Sequence, residues 1–492
     1  LIPLLRRYMP DLLPPQRDLI DGEWQIPAHV LDGPLRDPNT GDFLQDRSES
    51  AHETVDYAIG VADELHRRGD WRRLTDSARA EALQRFAAEV EKLAASAAVP
   101  ESLNTGLPIS VAGNMAGGMP WLIRAAAEEL MTGVNHQTVS GKVAPVELHR
   151  EPWGPAAVIL PWNAPSPNAA GKIGAALAAG CPVILKASEW APSSAEFIAQ
   201  AARSAGLPAA AFQLVHGGAA VGSQLAEDPR VRAIAFTGGR VAGANIARAG
   251  AATFKALQLE LGGNSPAIVR ADADLELTAN ALAAGMVKLN GQWCERPGKI
   301  LVHERVAADL EQALLTRLAQ LPIGHSLDET TMIGPQAFRA QRDRVQAHID
   351  RLVAAGGHAQ SVGVLPDLPG WFLRPTVITM VASAAADAEI FGPVITVHPV
   401  ADDDEALLLA NDGDGGLAGY VFTSDIAAGR AIAREIQAGE VKINGTSLFD
   451  LGDQSHQSFW GLSGIGGHGT GALLRFFTGD RVVGVDDPSA PI

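Results

Sequence analysis

The sequence predicts an α/β protein of two or three domains, and three observations carry that prediction. Its 492 residues are too many for one hydrophobic core. From residue 152 onward, short apolar runs alternate with helical segments, the pattern of βαβ units and of a parallel sheet covered on both faces. A second such series runs from LQLELGGNSPAIV, starting at 257, to about residue 445.

Taken in order, residues 52–67 and 79–96 read as amphipathic helices. In the second, Leu83, Phe86, Val90 and Leu93 fall near helical spacing. PAAVILPW is a strand-like run that ends in Pro161, Trp162 and Asn163. KIGAALAAG follows as a helix, CPVILKAS as a buried strand, SSAEFIAQAARSAG as a helix and FQLVHGG as a strand. A helix around Gly222, the strand VRAIAFTGG and the helix VAGANIARAG complete the first series. The second includes VKLNGQWCERPGKILVH and a late strand, GEVKING. Two segments stand apart. Residues 134–152 alternate like a hairpin around SGK, and RVVGVDDP near the end is a lone strand. Both need a sheet to join, which a partner subunit can supply.

Composition narrows the function. With 47% apolar and 19% charged residues, the chain is globular rather than disordered. A net charge of -17 without a cluster of Lys and Arg argues against a nucleic-acid binder and against anionic membranes. Only Cys181 and Cys294 are present, which suits a reducing cytosol and leaves no structural zinc site. The opening LIPLLRRYMPDLLPP is too short for a signal-peptide core. The most apolar region, 154–185, is broken by Asn163, Asn168 and several prolines, so it does not read as a membrane span. A cytoplasmic protein is expected.

Several residues invite a chemical reading. Cys294, in NGQWCERPG, is flanked by Gly291 and Pro297 and lies near an element start. It reads either as an activated thiolate nucleophile or as a small buried hydrophobe. Cys181, opening the apolar CPVILK, has only the second reading. Glu260 ends an apolar strand beside Gly262 and Gly263, placed as a general base or as a solvated strand end. Asn163 offers an amide for an oxyanion or a cap for the next helix. FTGGRVAG puts glycines between a strand and a helix, where backbone amides can face a phosphate. GIGGHG, 464–469, has the spacing of a dinucleotide fingerprint but follows no strand and opens no βαβ unit, so it is set aside.

Together, in this order, these segments resemble the aldehyde dehydrogenase superfamily. REPWGPAAVILPWNAP, ILKASE, AFTGG, LELGGNSP, NGQWC, EIFGPV and GEVKING all stand in the family's order, and the resemblance extends from IDGEW to the terminal strand. It implies a Rossmann-like NAD-binding domain (1–133 and 152–258), an α/β catalytic domain (259–465) and a small β oligomerisation arm (134–151 and 466–492). It implies NAD as cofactor, a small-molecule aldehyde as substrate, and a homodimer or homotetramer. By similarity, Cys294 is the nucleophile, Asn163 and the Cys294 backbone N–H hold the oxyanion, Glu260 activates water and Lys172 serves a proton relay. Lys186 and Glu189, with Ser188 between them, match the adenosine ribose site. Phe236, Thr237, Gly238 and Gly239 match the turn beside the cofactor. Pro161, Trp162 and Leu261 also fall on the cofactor side, and Glu389 with Phe391 matches the nicotinamide ribose site. Ala164, Asn168 and Gly171 match the wall of the aldehyde tunnel, where relatives often carry larger side chains. Trp293, Glu295 and Trp460 are further candidates there, so a bulky, apolar or aromatic aldehyde is expected.

The departures are specific. Gly239 stands where Ser is usual, Ala388 replaces the first of two acids, Gly461 replaces a lysine, and His468 replaces an acid. The same fold also carries CoA-acylating aldehyde dehydrogenases, which typically lack the glutamate present here as Glu260. A cysteine esterase or a non-catalytic protein could be built on it as well.

Overall fold

The computed structural model describes residues 12–448, 451–452 and 455–489. The opening apolar run falls largely outside the described residues. Two sheets, each built around parallel strands, follow one another along the chain, and a third, small sheet stands beside them.

The first sheet has a parallel core of Ala156–Ile159, Val183–Lys186, Phe212–Val215, Ala233–Gly238 and Ala256–Leu261. Across the sheet these run third, second, first, fourth, fifth. The chain therefore reverses direction between Ala156–Ile159 and Ala233–Gly238, which pair in parallel. In open sheets of this kind, the crevice beyond the carboxyl ends of the strands at such a reversal is the ligand site. Successive residues face opposite ways. Ala156, Val158 and Leu160 pack with helices Asp76–Thr105, Ile109–Met131 and Pro165–Ala179, whereas Ala157 and Ile159 pack with His52–Arg68 and its neighbours.

Two helices differ from expectation. The helix read over 79–96 runs from Asp76 to Thr105, capped by the Thr75 side chain and ended by Gly106 at φ +76°. Pro100 sits inside it, where a break would be read. Ile109–Met131 is not legible in the sequence, because Gly113, Gly117, Gly118 and Pro120 dilute its helical signal. Its burial against neighbouring helices overrides that weak propensity.

GIGGHG is not a phosphate loop. Gly464–Ile465 pairs antiparallel with Leu259 and Glu260 and closes one edge of the first sheet. A Cβ at Gly464 would lie 1.7 Å from the Leu259 carbonyl oxygen, so only glycine permits the approach.

The second sheet runs His358–Ser361, Thr376–Thr379, Val394–Val400, Pro297–His303, Ser265–Val269, Ala418–Phe422, Glu440–Ile443, parallel except for its first pair. The run LQLEL, read as opening this series, instead belongs to the first sheet. The division expected at 258/259 thus falls inside Ala256–Leu261; residues 262–264 carry the chain from the first sheet to the second, and it returns to the first at Gly464–Ile465.

The third sheet holds the hairpin of His136–Val139 and Val146–Pro152, and Thr478–Val483. The tail strand read as lone finds its partner within the chain, from Thr478↔Pro152 to Val483↔Glu147. His136–Val139 is exposed at every position. Leu474, on helix Thr470–Phe476, and Phe477 pack into the core of the first sheet, so the segment expected to begin the arm at 466 starts there instead. Among the described residues, no helix is long and apolar enough to cross a membrane.

Candidate active site

Cys294 lies in the loop between a turn at Lys288–Gly291 and the strand Pro297–His303. Leu289, Asn290 and Gly291 are all left-handed, at φ +51°, +58° and +77°. Two consecutive non-glycine residues in that region are costly and persist only where neighbours over-determine them. Here side chains do so. The Asn290 amide donates to the carbonyls of Gly106 (2.8 Å) and Pro335 (2.9 Å) and accepts from Gly334 N–H at 2.8 Å. Gln292 donates to the Thr105 carbonyl at 3.2 Å and accepts from Ala337 N–H at 2.9 Å. Gly291 must be glycine, because a Cβ would sit 2.1 Å from the Gly392 carbonyl carbon. The loop that carries the sulfur is thus held by the end of the helix Asp76–Thr105 and by the segment 334–337.

Glu260 arrives from the other side, near the end of Ala256–Leu261. Its Oε1 accepts from the Cys294 sulfur at 3.6 Å. Its Oε2 lies 3.1 Å from the Thr237 hydroxyl and 4.0 Å from Lys172 Nζ. Lys172 also donates to the Thr237 hydroxyl, which lies 3.0 Å from Asn168 Oδ1. With one hydrogen to give, that hydroxyl serves either Asn168 or Glu260. The Asn163 amide donates to the Gln292 carbonyl at 2.8 Å, which sets it beside the cysteine loop.

The charges follow from this arrangement. Burial pushes the Cys294 thiol well above its ordinary value, and the Glu260, Glu295 and Glu389 carboxylates push it the same way. Burial alone would raise Glu260. Lys172, His468 and the Thr237 hydroxyl outweigh it and hold this carboxyl below its ordinary value. Burial brings Lys172 down to about 8, against the pull of Glu260 and Cys294. Near neutral pH, Glu260 is an ionised base beside a protonated thiol. Cys181 is inert by comparison: fully buried, bonded to the Phe477 carbonyl and pushed up by burial to about 12.

The residues matched to the cofactor gather at the carboxyl ends of the first sheet. Pro161 and Trp162 follow Ala156–Ile159. Lys186 ends its strand, and Ser188 and Glu189 follow. Phe236, Thr237 and Gly238 end Ala233–Gly238, Gly239 caps the helix Arg240–Ala251, and Leu261 ends the last parallel strand. They fit a dinucleotide. Lys186 Nζ, held by the Ala187 carbonyl at 3.0 Å, faces Glu189 at 3.4 Å, a donor and acceptor pair suited to a diol. Nothing lies within 4 Å of where a Gly239 Cβ would be, so the helix N-terminus opens on free space. Arg240 Nε is buried with no partner among the described residues. Glu389, which burial pushes up to about 7 against Arg296 and Arg240, accepts from Gly263 N–H at 3.3 Å. Phe391 meets Trp162 edge-on at 5.4 Å, and Trp162 meets Phe338 at 5.1 Å. Phe338 and Trp190, stacked at 4.4 Å, escape a reading of the sequence, because neither sits in a motif.

On the far side of the sulfur, Leu107, Ala164, Leu289 and Trp293 form an apolar cluster with Val111, Met115 and Cys294. Ala164 and Trp293 are expected there from the sequence, whereas Leu107, Val111, Met115 and Leu289 come from elements whose placement only the fold reveals. Gly171 faces open space. Three tunnel candidates are otherwise engaged. The Asn168 amide is spent on the Ala164 carbonyl and Thr237, Glu295 faces Lys442 and His468, and Trp460 is half exposed on a strand paired with Gly415–Gly416.

The family model described as "Aldehyde dehydrogenase family" matches residues 29–483. A geranial dehydrogenase of Castellaniella defragrans is 35% identical over 442 residues, covering 87% of this chain and 91% of its own. Peroxisomal aminoaldehyde dehydrogenase 2 of Malus domestica is 32% identical, covering 88% of each. Among solved structures, a mutant of aldehyde dehydrogenase C from Pseudomonas syringae, complexed with NAD+ and octanal, superposes with a TM-score of 0.90 at 30% identity, covering 95% of this chain and 96% of its own. Betaine aldehyde dehydrogenase of Staphylococcus aureus with NAD+ gives 0.92 at 28% identity, covering 97% and 96%. The sheet order, the paired cysteine and glutamate and these likenesses agree, and the chain belongs to the aldehyde dehydrogenase family.

Proposed function

We propose that this protein is an NAD-dependent dehydrogenase that oxidises a bulky, apolar aldehyde to its acid through a thioester on Cys294. The observation that carries the reading is the Cys294 sulfur 3.6 Å from a Glu260 carboxylate oxygen, with the Asn163 amide fixed two residues upstream on the Gln292 carbonyl. Glu260 takes the thiol proton as the sulfur attacks the carbonyl carbon. The Asn163 amide and the Cys294 backbone N–H hold the oxyanion. NAD, which Lys186, Glu189 and Glu389 would hold, would supply the hydride acceptor. Glu260 passes its proton through the Thr237 hydroxyl to Lys172 in its amine form, which a value brought down to about 8 makes accessible, and then activates a water against the thioester. Its place beside the sulfur favours hydrolysis over transfer to CoA.

The substrate class rests on the wall of Leu107, Val111, Met115, Ala164, Leu289 and Trp293. Lys288 Nζ lies 4.5 Å above the Trp293 ring of that wall, which disfavours a cationic aldehyde. Assembly as a homodimer or homotetramer rests on the exposed strand His136–Val139, an open edge for a second copy. A cytoplasmic setting rests on cysteine usage alone.

The test is NADH formation across an aldehyde panel, in parent and Cys294→Ala. The parent should be active, and the variant should fall by about a thousandfold or more. Retained oxidation in the variant would overturn the reading.

A further inference from the structure

Residues 100–105, at the end of the helix Asp76–Thr105, are all buried, although Glu101, Ser102, Asn104 and Thr105 are polar. Burying polar groups is costly unless each finds a partner. Glu101, fully buried, finds two. Its Oε1 accepts from the Ser166 hydroxyl and its Oε2 from the Ser194 hydroxyl, both at 2.7 Å. Burial pushes this carboxyl up to about 7, and the serines pull it back. The two serines open different helices. Ser166 is the second residue of Pro165–Ala179, three positions after Asn163. Ser194 is the second of Ser193–Ser204, whose first N–H donates to Asn104 at 3.2 Å. A carboxyl offers two acceptor oxygens at one point, so a single side chain fastens both helix starts to a third helix.

The Ser166 contact closes a circuit. From Glu101 the chain runs four residues to Thr105, whose carbonyl accepts from the Gln292 amide at 3.2 Å. The Gln292 carbonyl accepts from the Asn163 amide at 2.8 Å, and three residues lead from Asn163 back to Ser166 and Glu101. The Asn163 nitrogen carries two hydrogens. Gln292 takes one, and the other is left for the oxyanion. Cys294 stands two residues after Gln292. We propose that Glu101 is a positioning residue, which by holding Ser166 fixes where the Asn163 amide stands relative to the Cys294 loop. Glu101 acts through Asn163, so this inference rests on Asn163 serving the oxyanion as proposed above. Without the Ser166 contact, the start of Pro165–Ala179 is free to shift, and a donor displaced by about an ångström loses much of its effect.

The experiment is a double-mutant cycle on kcat/KM for the aldehyde at saturating NAD, a quantity that reads the steps up to hydride transfer. Asn163→Ala should lose about a hundredfold or more, the cost of removing an oxyanion donor. Ser166→Ala should lose about tenfold, because its donor is present but misplaced. Its affinity for NAD, read from tryptophan fluorescence, should stay within about twofold of the parent's. The double variant should match Asn163→Ala within about twofold, because Ser166 then has nothing left to position. Packing damage would act independently of Asn163, and the losses would multiply. A parent-like Ser166→Ala, a further loss of about tenfold in the double variant, or equal losses of catalysis and NAD affinity in Ser166→Ala would overturn the inference. Should Ser166→Ala not fold, Glu101→Asp, one methylene shorter and unable to reach both serines, goes through the same cycle with the same outcomes deciding. Failure of the oxyanion reading shows separately, as parent-like kcat/KM in Asn163→Ala.

Discussion

The Cys294 sulfur and the Glu260 carboxylate meet at 3.6 Å although they stand 34 positions apart in the chain, one on a strand of the first sheet and the other on a loop leading into the second. Glu260 is carried on the last parallel strand of the first sheet, and Cys294 on the loop that enters the second. The pair therefore exists only when the two sheets are packed, and residues 262–264 between them leave little freedom.

Glu260→Gln should separate the two halves of the reaction. The amide keeps the side chain's shape but cannot take a proton from water. It cannot take the thiol proton either, so mixing with an aldehyde and NAD should give about one NADH per site, formed more slowly than in the parent, then turnover slowed by about a hundredfold or more. Unchanged steady-state turnover would show that another base activates the water.

Ala164→Phe should narrow the apolar pocket. Along a series from acetaldehyde to long-chain and aromatic aldehydes, the parent should gain up to about 0.8 kcal/mol of transition-state binding per buried methylene. The variant should lose most on the bulkiest members. A flat series in the parent, or a preference for acetaldehyde or an aminoaldehyde, would refute the apolar reading.

Glu189 should exclude NADP, because a carboxylate accepts from a ribose diol and repels a 2′-phosphate. Lys186, 3.4 Å away, moderates that repulsion. Glu189→Ala should shift the ratio of kcat/KM for NAD over NADP by roughly tenfold toward NADP, a loss of about 1.4 kcal/mol of discrimination. An unchanged ratio would place the carboxylate away from the ribose.

His216 should make stability depend on pH. It is fully buried, 3.1 Å from both Asp18 and Glu196, and so ties the amino-terminal strand to a helix of the first sheet. Burial alone would lower the imidazole, but the two carboxylates outweigh it and raise it from 6.5 to about 9. A raised folded-state value means the stabilisation is fully present below pH 6.5 and is lost as pH climbs through about 9. Its size is at most a few kcal/mol. Urea unfolding between about pH 6 and 10 should show the parent's advantage over His216→Gln shrinking across that window. A constant difference would contradict it.

The parallel sheets are legible because their buried strands are short apolar runs, several of them closed by a glycine, proline or asparagine, as at Pro161, Gly217, Gly239, Gly262 and Asn444. The site motifs are legible because they sit at those strand ends, and Asn290–Gly291 carries its own turn signal. What escapes is set by tertiary context. Ala256–Leu261 reads as the start of the second series, yet it pairs with Ala233–Gly238 through six residues. Thr237 reads as part of a phosphate turn, but its hydroxyl is the junction of Lys172, Asn168 and Glu260. Glu295 reads as a tunnel residue, because only the late strand and the return segment, far along the chain, reveal Lys442 and His468 beside it.

The most direct measurement is the mass of the trapped intermediate. Glu260→Gln should be mixed with NAD and a long-chain or aromatic aldehyde, quenched in acid, and the intact protein and its peptides weighed. A gain equal to one acyl group, on the peptide holding Cys294 and absent from Cys294→Ala, is the result expected. An unmodified Cys294 peptide after NADH has formed, or an acyl group on another residue, would contradict the account.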